Sequence, residues 1–217
     1  MKRNADATRA RIFDAARHEF AQFGVAGARV DRIAENARAN KARIYEYFGD
    51  KETLFAFVLE VELERLGTAI SVPDDPRHIP AYVRAVFDYH SAHPDLVRLL
   101  YWEALHFSST DAPREQERRE FYAERVAYLA RAQGEGIISS EADPRHLHFL
   151  LLGLATSWFG LPQLARMHVD DDPSTSAHRL AHREHVVWAT CRILGLEPPR
   201  IDGVGGSPAG AAAPADG

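Results

Sequence analysis

The side chains best suited to chemistry in this sequence lie in one eight-residue run, Lys41-Ala42-Arg43-Ile44-Tyr45-Glu46-Tyr47-Phe48. The chemistry they suit is the reading of a DNA edge. At 100° per residue, Ile44 and Phe48 lie one above the other on a buried face. Ala42, Arg43 and Glu46 point the opposite way, with Tyr45 and Tyr47 on the flanks. An arginine so presented can bond a guanine O6/N7 edge in two places, a contact worth roughly 1–3 kcal/mol against the wrong base. Ala42 is small enough to let the helix approach, or to touch a thymine methyl. Glu46 can accept from cytosine N4, or steer Arg43 three residues earlier. Each tyrosine taken singly has packing as a serious competing role.

The elements that must position this run are legible on both sides. Val30, Ile33, Ala34 and Ala37 recur at i, i+3, i+4 and i+7, the stripe of a short helix. Arg38 and Ala39 make a turn, and Asn40 is a good N-cap for the second helix. Gly49 ends that helix and Asp50 caps the next, which opens at Lys51. Two short helices joined by a three-residue turn describe a helix-turn-helix whose second helix enters a major groove. Upstream, a first helix from Asp6 or Thr8 to Phe23, stopped by Gly24, places Ile12, Phe13, Ala16, Phe20 and Phe23 in a small core. Arg3, Arg9 and Arg11 near its start are either a solvated end or phosphate and minor-groove contacts.

The stretch from Thr8 to about Leu59 resembles the DNA-binding domain of the tetracycline-repressor (TetR) family of transcriptional regulators. Ala42 to Phe55 reads Ala-Arg-Ile-Tyr-Glu-Tyr-Phe-Gly-Asp-Lys-Glu-Thr-Leu-Phe, against the family's small-x-Leu-Tyr-x-His/Tyr-Phe-x-x-Lys-x-x-Leu-Phe. Phe20 to Gly24 and Val30 to Ala34 match its Phe-x-x-x-Gly and Val-x-x-Ile-Ala. The resemblance implies that Lys41, Ala42, Arg43 and Tyr45 face base edges, and that Tyr47 and Lys51 bind phosphate. Two positions depart from the pattern. Arg38 stands where the family usually has glycine, at roughly 1 kcal/mol if φ is positive. Arg29 stands where the family tends to have Thr or Ser; it cannot cap a helix but can reach a phosphate.

The chain has 217 residues and a net charge of −5, which taken alone argues against DNA. The distribution reverses that reading: residues 1–51 hold 11 Lys and Arg against 7 Asp and Glu, the remainder 15 against 24. A basic head on an acidic body turns the head toward polyanions. No run is long enough to span a bilayer and no N-terminal segment resembles a signal peptide. The single cysteine, Cys191, excludes an internal disulfide or a cysteine zinc site and fits a reducing, cytoplasmic setting.

Beyond the head, the chain reads as helices separated by proline and glycine, with no strand pattern. The fold class is all-α: residues 1–52 a helix-turn-helix head, 53–196 a helical body for effector binding and dimerisation, 197–217 a disordered tail. A fourth helix, Lys51 to about Ser71, links head to body, and Pro73 to Pro80 breaks the chain. Helices follow over Ile79 to His93, Pro94 to Phe107 and Arg114 to Gln133, with a loop over Ser108 to Pro113. Asp143-Pro144 opens the next, which is apolar nearly all round to Leu161 and is stopped by Pro162. Such a helix is buried on two sides, one by its own domain and one by a partner. An acidic loop, His168 to Pro173, precedes the last helix, Ser174 to Leu194. The resemblance implies that the last two long helices pair with their copies as a four-helix bundle; Leu147, Leu151, Leu154, Val187, Trp188 and Cys191 are the expected seam.

The family also implies a ligand pocket in the body. His90, Trp102, His106, Phe107, Tyr122 and Trp158 are the candidates, with satisfied core residues an equally good reading of each. His178, His182 and His185, at i, i+4 and i+7, have a spacing that could hold a metal or sense pH. They read more simply as a polar flank, and no metal or cofactor is expected. Ser157 lies in Gly-Leu-Ala-Thr-Ser-Trp-Phe-Gly, which misses the Gly-x-Ser-x-Gly spacing, so no catalytic set emerges. The expected function is a dimeric, ligand-responsive repressor of a pseudo-palindromic operator. The alternative is a dimeric ligand-binding or scaffold protein whose head, altered at Arg29 and Arg38, no longer reads DNA.

Overall fold

The computed structural model describes residues 2–107, 115–169 and 172–201, and those residues form helices and connecting turns without a strand. The expected loop over Ser108 to Pro113, part of the acidic loop and the tail beyond residue 201 lie outside the described residues. The head comprises α1 (Lys2–Gly27), α2 (Val30–Ala37) and α3 (Lys41–Phe48), followed by α4 (Lys51–Ala69). A short 3-10 turn, Pro76–His78, leads into α5 (Ile79–Ala92) and α6 (Pro94–His106). The rest is α7 (Glu115–Gly134), α8 (Pro144–Gly160), α9 (Pro162–His168) and α10 (Ser176–Ile193).

Local chemistry sets most of these ends. Gly24 breaks α1 with φ 65 and ψ −178, so the regular helix stops where the glycine was expected to stop it. Asn40 accepts from the Ala42 N–H at 2.9 Å, and Asp50 accepts from the Thr53 N–H at 2.7 Å. Asp143 caps α8 with Pro144 at its first position. Pro162 does stop α8, but it also opens α9, a short helix over residues to which the sequence pattern assigns no element. Proline is as good at a first helical position as it is poor inside one, and the pattern alone does not distinguish the two uses.

The head core forms around Ile12, Phe20, Ile33, Ile44 and Phe55, all essentially sealed. Phe20 and Phe55 meet edge to face at 5.3 Å, joining α1 to α4. Leu96 and Leu99 of α6 belong to the same cluster, so the body supplies part of the head's core. A second cluster, built on Ile79, Phe87, Leu129, Val187 and Leu194, holds α5, α7 and α10 together. Each fully buried side chain of this size contributes roughly 1.5–3 kcal/mol. Phe23, expected in the head core, is instead 36% exposed, with the Arg32 guanidinium 4.2 Å from its ring centre. It faces outward just before the glycine break. No single helix among the described residues is long and apolar enough to cross a membrane.

Candidate nucleic-acid interface and body cavity

The supporting helix α2 buries Val30, Ile33, Ala34 and Ala37, the four stripe positions. Its N-terminus lacks a side-chain cap from Arg29. Glu19, buried on α1, does that work instead: its carboxylate accepts from the Arg29 N–H at 2.8 Å and from Arg32 Nη2 at 2.6 Å. One carboxylate therefore both satisfies a helix end and neutralises a guanidinium. Arg38 ends α2 at φ 49 and ψ 47, in the left-handed region that glycine occupies freely. Arg11 reaches the last turn of α2, donating from Nε to the Ala37 carbonyl at 3.0 Å. Arg9 lies over the Phe57 ring at 5.0 Å. Both therefore have packing roles within the head, while the Arg3 side chain lies outside the described residues.

On α3, Ile44 and Phe48 are buried, and Lys41, Ala42, Arg43, Tyr45 and Glu46 are exposed. Arg43 makes only loose contacts, 3.9 Å to the Glu46 carboxylate and 3.5 Å to the Tyr47 hydroxyl. At such distances in solvent the guanidinium is free to turn toward a base edge. Lys41 is held more firmly, 2.8 Å from the Asp31 carboxylate, which raises its pKa through a hydrogen bond and charge. Tyr45 is 44% exposed, whereas Tyr47 is half-buried against the head core. Lys51 donates to the Ala26 and Ala28 carbonyls at 3.4 and 3.3 Å, tying the start of α4 to the α1–α2 junction. Arg29 is exposed at the start of α2. The arrangement can offer one short basic and aromatic face, roughly 12 Å long, to a groove.

The body contains a cavity of ≈ 90 Å³ between α4, α5, α7 and α8. Leu63 and Leu66 of α4, with Ile70 just after it, form one wall and Leu151, Leu152 and Ala155 of α8 another. Polar groups on the wall are His90, Tyr82, Tyr122, Arg125, Tyr128 and His148. His90 is 1% exposed and neither ring nitrogen has a partner. Burial and, secondarily, the charge of His93 depress its pKa to about 4, so it is neutral at pH 7.

Of the six side chains expected around a ligand, His90 and Tyr122 line this cavity and four do not. Trp102 packs on Gly24 and donates from its indole to the Ala21 carbonyl at 3.1 Å. Phe107 meets the Phe55 ring at 6.1 Å, and His106 lies 3.4 Å from the Glu52 carboxylate. These three belong to the joint between head and body. Trp158 stacks on His182 at 4.1 Å, on the far side of α8. Aromatic content does not declare the side to which each ring turns. Tyr82, Arg125, Tyr128 and His148, the cavity's other polar groups, carried no sequence signal beyond their place on the helices.

The expected seam needs a similar correction. Leu147, Val187 and Cys191 are buried in the subunit's own core, Leu151 lines the cavity, and Leu154 is half-buried against that core. Trp188, at 41%, is the exposed member. Other outward apolar side chains of these helices are Phe149 (74% exposed), Leu150 (57%), Leu180 (50%) and Ile193 (43%). A helix apolar on all sides does not declare which stripe its own domain takes. His178, His182 and His185 line one groove beside Trp158, yet among the described residues no group of three His, Cys, Asp or Glu is placed to hold a metal. His185 instead contacts the Ala181 carbonyl at 2.8 Å.

Comparison with known proteins agrees in both halves of the chain. Residues 12–58 match the family described as bacterial regulatory proteins, tetR family. Residues 78–192 match the tetracyclin repressor-like C-terminal domain. The HTH-type transcriptional repressor SCO4008 of Streptomyces coelicolor is 47% identical over 77% of this chain and 86% of that protein. The HTH-type transcriptional repressor NicS of Pseudomonas putida is 30% identical over 69% of this chain and 74% of that protein. Among solved structures, the transcriptional regulator SCO4942 of Streptomyces coelicolor superposes with a TM-score of 0.71 at 35% identity, covering 86% of this chain and 98% of that one.

Proposed function

The chain belongs to the TetR family of bacterial transcriptional regulators, and from that footing we propose a dimeric repressor that a small molecule releases from its operator. The observation that carries the DNA-binding half is the exposed α3 face, with Arg43 loosely held and Ala42 beside it. Two such faces, related by the dimer axis, read half-sites roughly one helical turn apart or a multiple of it. Lys41, Tyr45 and Arg43 are assigned to the groove. Arg29 and Tyr47 are assigned to phosphates, and Lys51 to bracing the head as much as to phosphate.

Pairing is supported by Phe149, Leu150, Leu180 and Trp188, which α8 and α10 leave outside the subunit's core. Exposed apolar groups concentrated on two adjacent helices call for a cover, and a second copy presenting the same helices supplies one.

The effector reading is supported by the cavity and by what its walls are attached to. A volume of ≈ 90 Å³ is below the roughly 150 Å³ that accepts benzene, so an occupant must push the walls outward. One wall is α4, whose first turns lie in the head core. Leu100 of α6 lines the cavity too, and α6 carries the Trp102 contact to α1. An expanded cavity thus favours a different head position, the differential affinity a population shift requires. A mobility-shift assay on the DNA flanking the chain's own gene tests this reading. A retarded band at nanomolar protein supports it, whereas absence of retardation with an intact dimer favours the scaffold alternative.

A further inference from the structure

We infer that the cavity receives an organic acid, a compact apolar body bearing one carboxylate that seats against Arg125 with a hydrogen-bonding group toward His90. This rests on the reading of the cavity as the effector site and adds the chemical class of the effector. Four charged side chains are buried among the described residues: Glu19, Glu62, Glu103 and Arg125. Each carboxylate among them has a guanidinium at contact distance, Arg32 at 2.6 Å, Arg65 at 2.8 Å and Arg118 at 2.6 Å. Arg125 is the reverse case. Its Nη1 donates to the Phe121 carbonyl at 2.7 Å and reaches the Glu124 carboxylate at 3.3 Å. Glu124 is two-thirds exposed, so solvent screens that pair.

Arg125 is also oriented. Its guanidinium lies 3.3 Å over the Phe121 ring, which fixes the plane in which its N–H groups point. A carboxylate can take two parallel N–H bonds from such a fork. The walls discriminate among occupants. No Asp or Glu lines the cavity, so a cation would meet Arg125 without compensation. A wholly apolar guest would leave His90 without a partner and Arg125 with only the exposed Glu124 as counter-charge, in a drier site than before. His90, buried and with both ring nitrogens unpaired, can serve a hydroxyl or carbonyl on the guest. His148, on the same wall, has its pKa lowered by burial and by Arg125, so it adds a neutral polar edge.

Calorimetric titration of the full-length protein with matched pairs tests the assignment: benzoate against benzamide, hexanoate against hexanamide, and benzylamine as the cationic control. The acids are expected to bind at least about tenfold more tightly than their amides, the step a charge-assisted hydrogen bond supplies. Arg125→Met should erase that preference while leaving amide affinity within about threefold. Amides or the amine binding as tightly as the acids would overturn the assignment, as would an unchanged preference in Arg125→Met. The wild-type comparison stands even if that variant does not fold. Amides that bind and release DNA would leave the effector reading intact and sink only the acid class. Failure of every compound to bind would remove both.

Discussion

The indole N–H of Trp102 donates to the main-chain carbonyl of Ala21 at 3.1 Å, and Arg98 Nε donates to the same oxygen at 2.7 Å. Gly24 breaks α1 three residues later, so this carbonyl belongs to the last turn, where intrahelical partners run out. Two side chains of the body thus complete the end of a head helix. The head position is coupled to α6 through a polar joint rather than through packing alone.

Gly24 is the first place to test that joint. A Cβ there would lie 2.6 Å from Trp102 Cε3, on a backbone already at φ 65. Gly24→Ala is expected to cost about 2–4 kcal/mol, from the left-handed backbone and the overpacked contact together. Thermal unfolding should register the loss; an unchanged midpoint would mean that the joint yields freely.

Arg38, at φ 49, is the non-glycine residue with positive φ among those described. Arg38→Gly relieves strain but gains entropy when unfolded, so its stability should lie from unchanged to about 1 kcal/mol higher. Arg38→Val, branched at Cβ, should lose about 1–2 kcal/mol at the same site. Chemical denaturation of the two variants decides it by their order.

The caps and breaks were legible because they are local. Asn40, Asp50, Gly24 and Asp143-Pro144 act on backbone within three residues of themselves. The four stripe positions of α2 and the buried pair on α3 follow from helical periodicity in the same way. Glu19 was not legible: it looks like any mid-helix carboxylate, and its partners stand ten and thirteen residues away on another helix. The body shows the same limit. Periodicity identified α8 and α10 as strongly apolar, yet whether Val187 or Leu180 turns inward depends on which neighbour arrives.

His90 gives the fold a pH dependence of definite sign. Its pKa is about 4 in the folded chain and near 6.5 when exposed, so the unfolded chain binds the extra proton between those values. Its contribution is complete above about pH 6.5 and is lost as pH falls toward 4, by up to roughly 3 kcal/mol. His148 and His182, both lowered first by burial, act in the same direction. Melting midpoints should fall from pH 7 to 5, and His90→Leu should flatten the curve. An equally steep curve in that variant would assign the effect elsewhere.

The pairing surface makes a separate prediction. Phe149→Asp introduces a charge on an exposed apolar position without touching the core, so the subunit should fold normally. Sedimentation should show a shift from dimer toward monomer, and affinity for a two-half-site operator should fall at least tenfold, since one head then binds without the other. A dimer of unchanged strength would move the seam away from α8.

The central claim is that α3 reads DNA through Arg43, and selection of bound oligonucleotides from a random pool tests it most directly. Wild-type protein should enrich a pseudo-palindrome with a fixed half-site spacing, and Arg43→Ala should enrich the same frame with one base pair per half-site no longer specified. No enrichment by the wild type, or an identical motif from Arg43→Ala, would contradict the account.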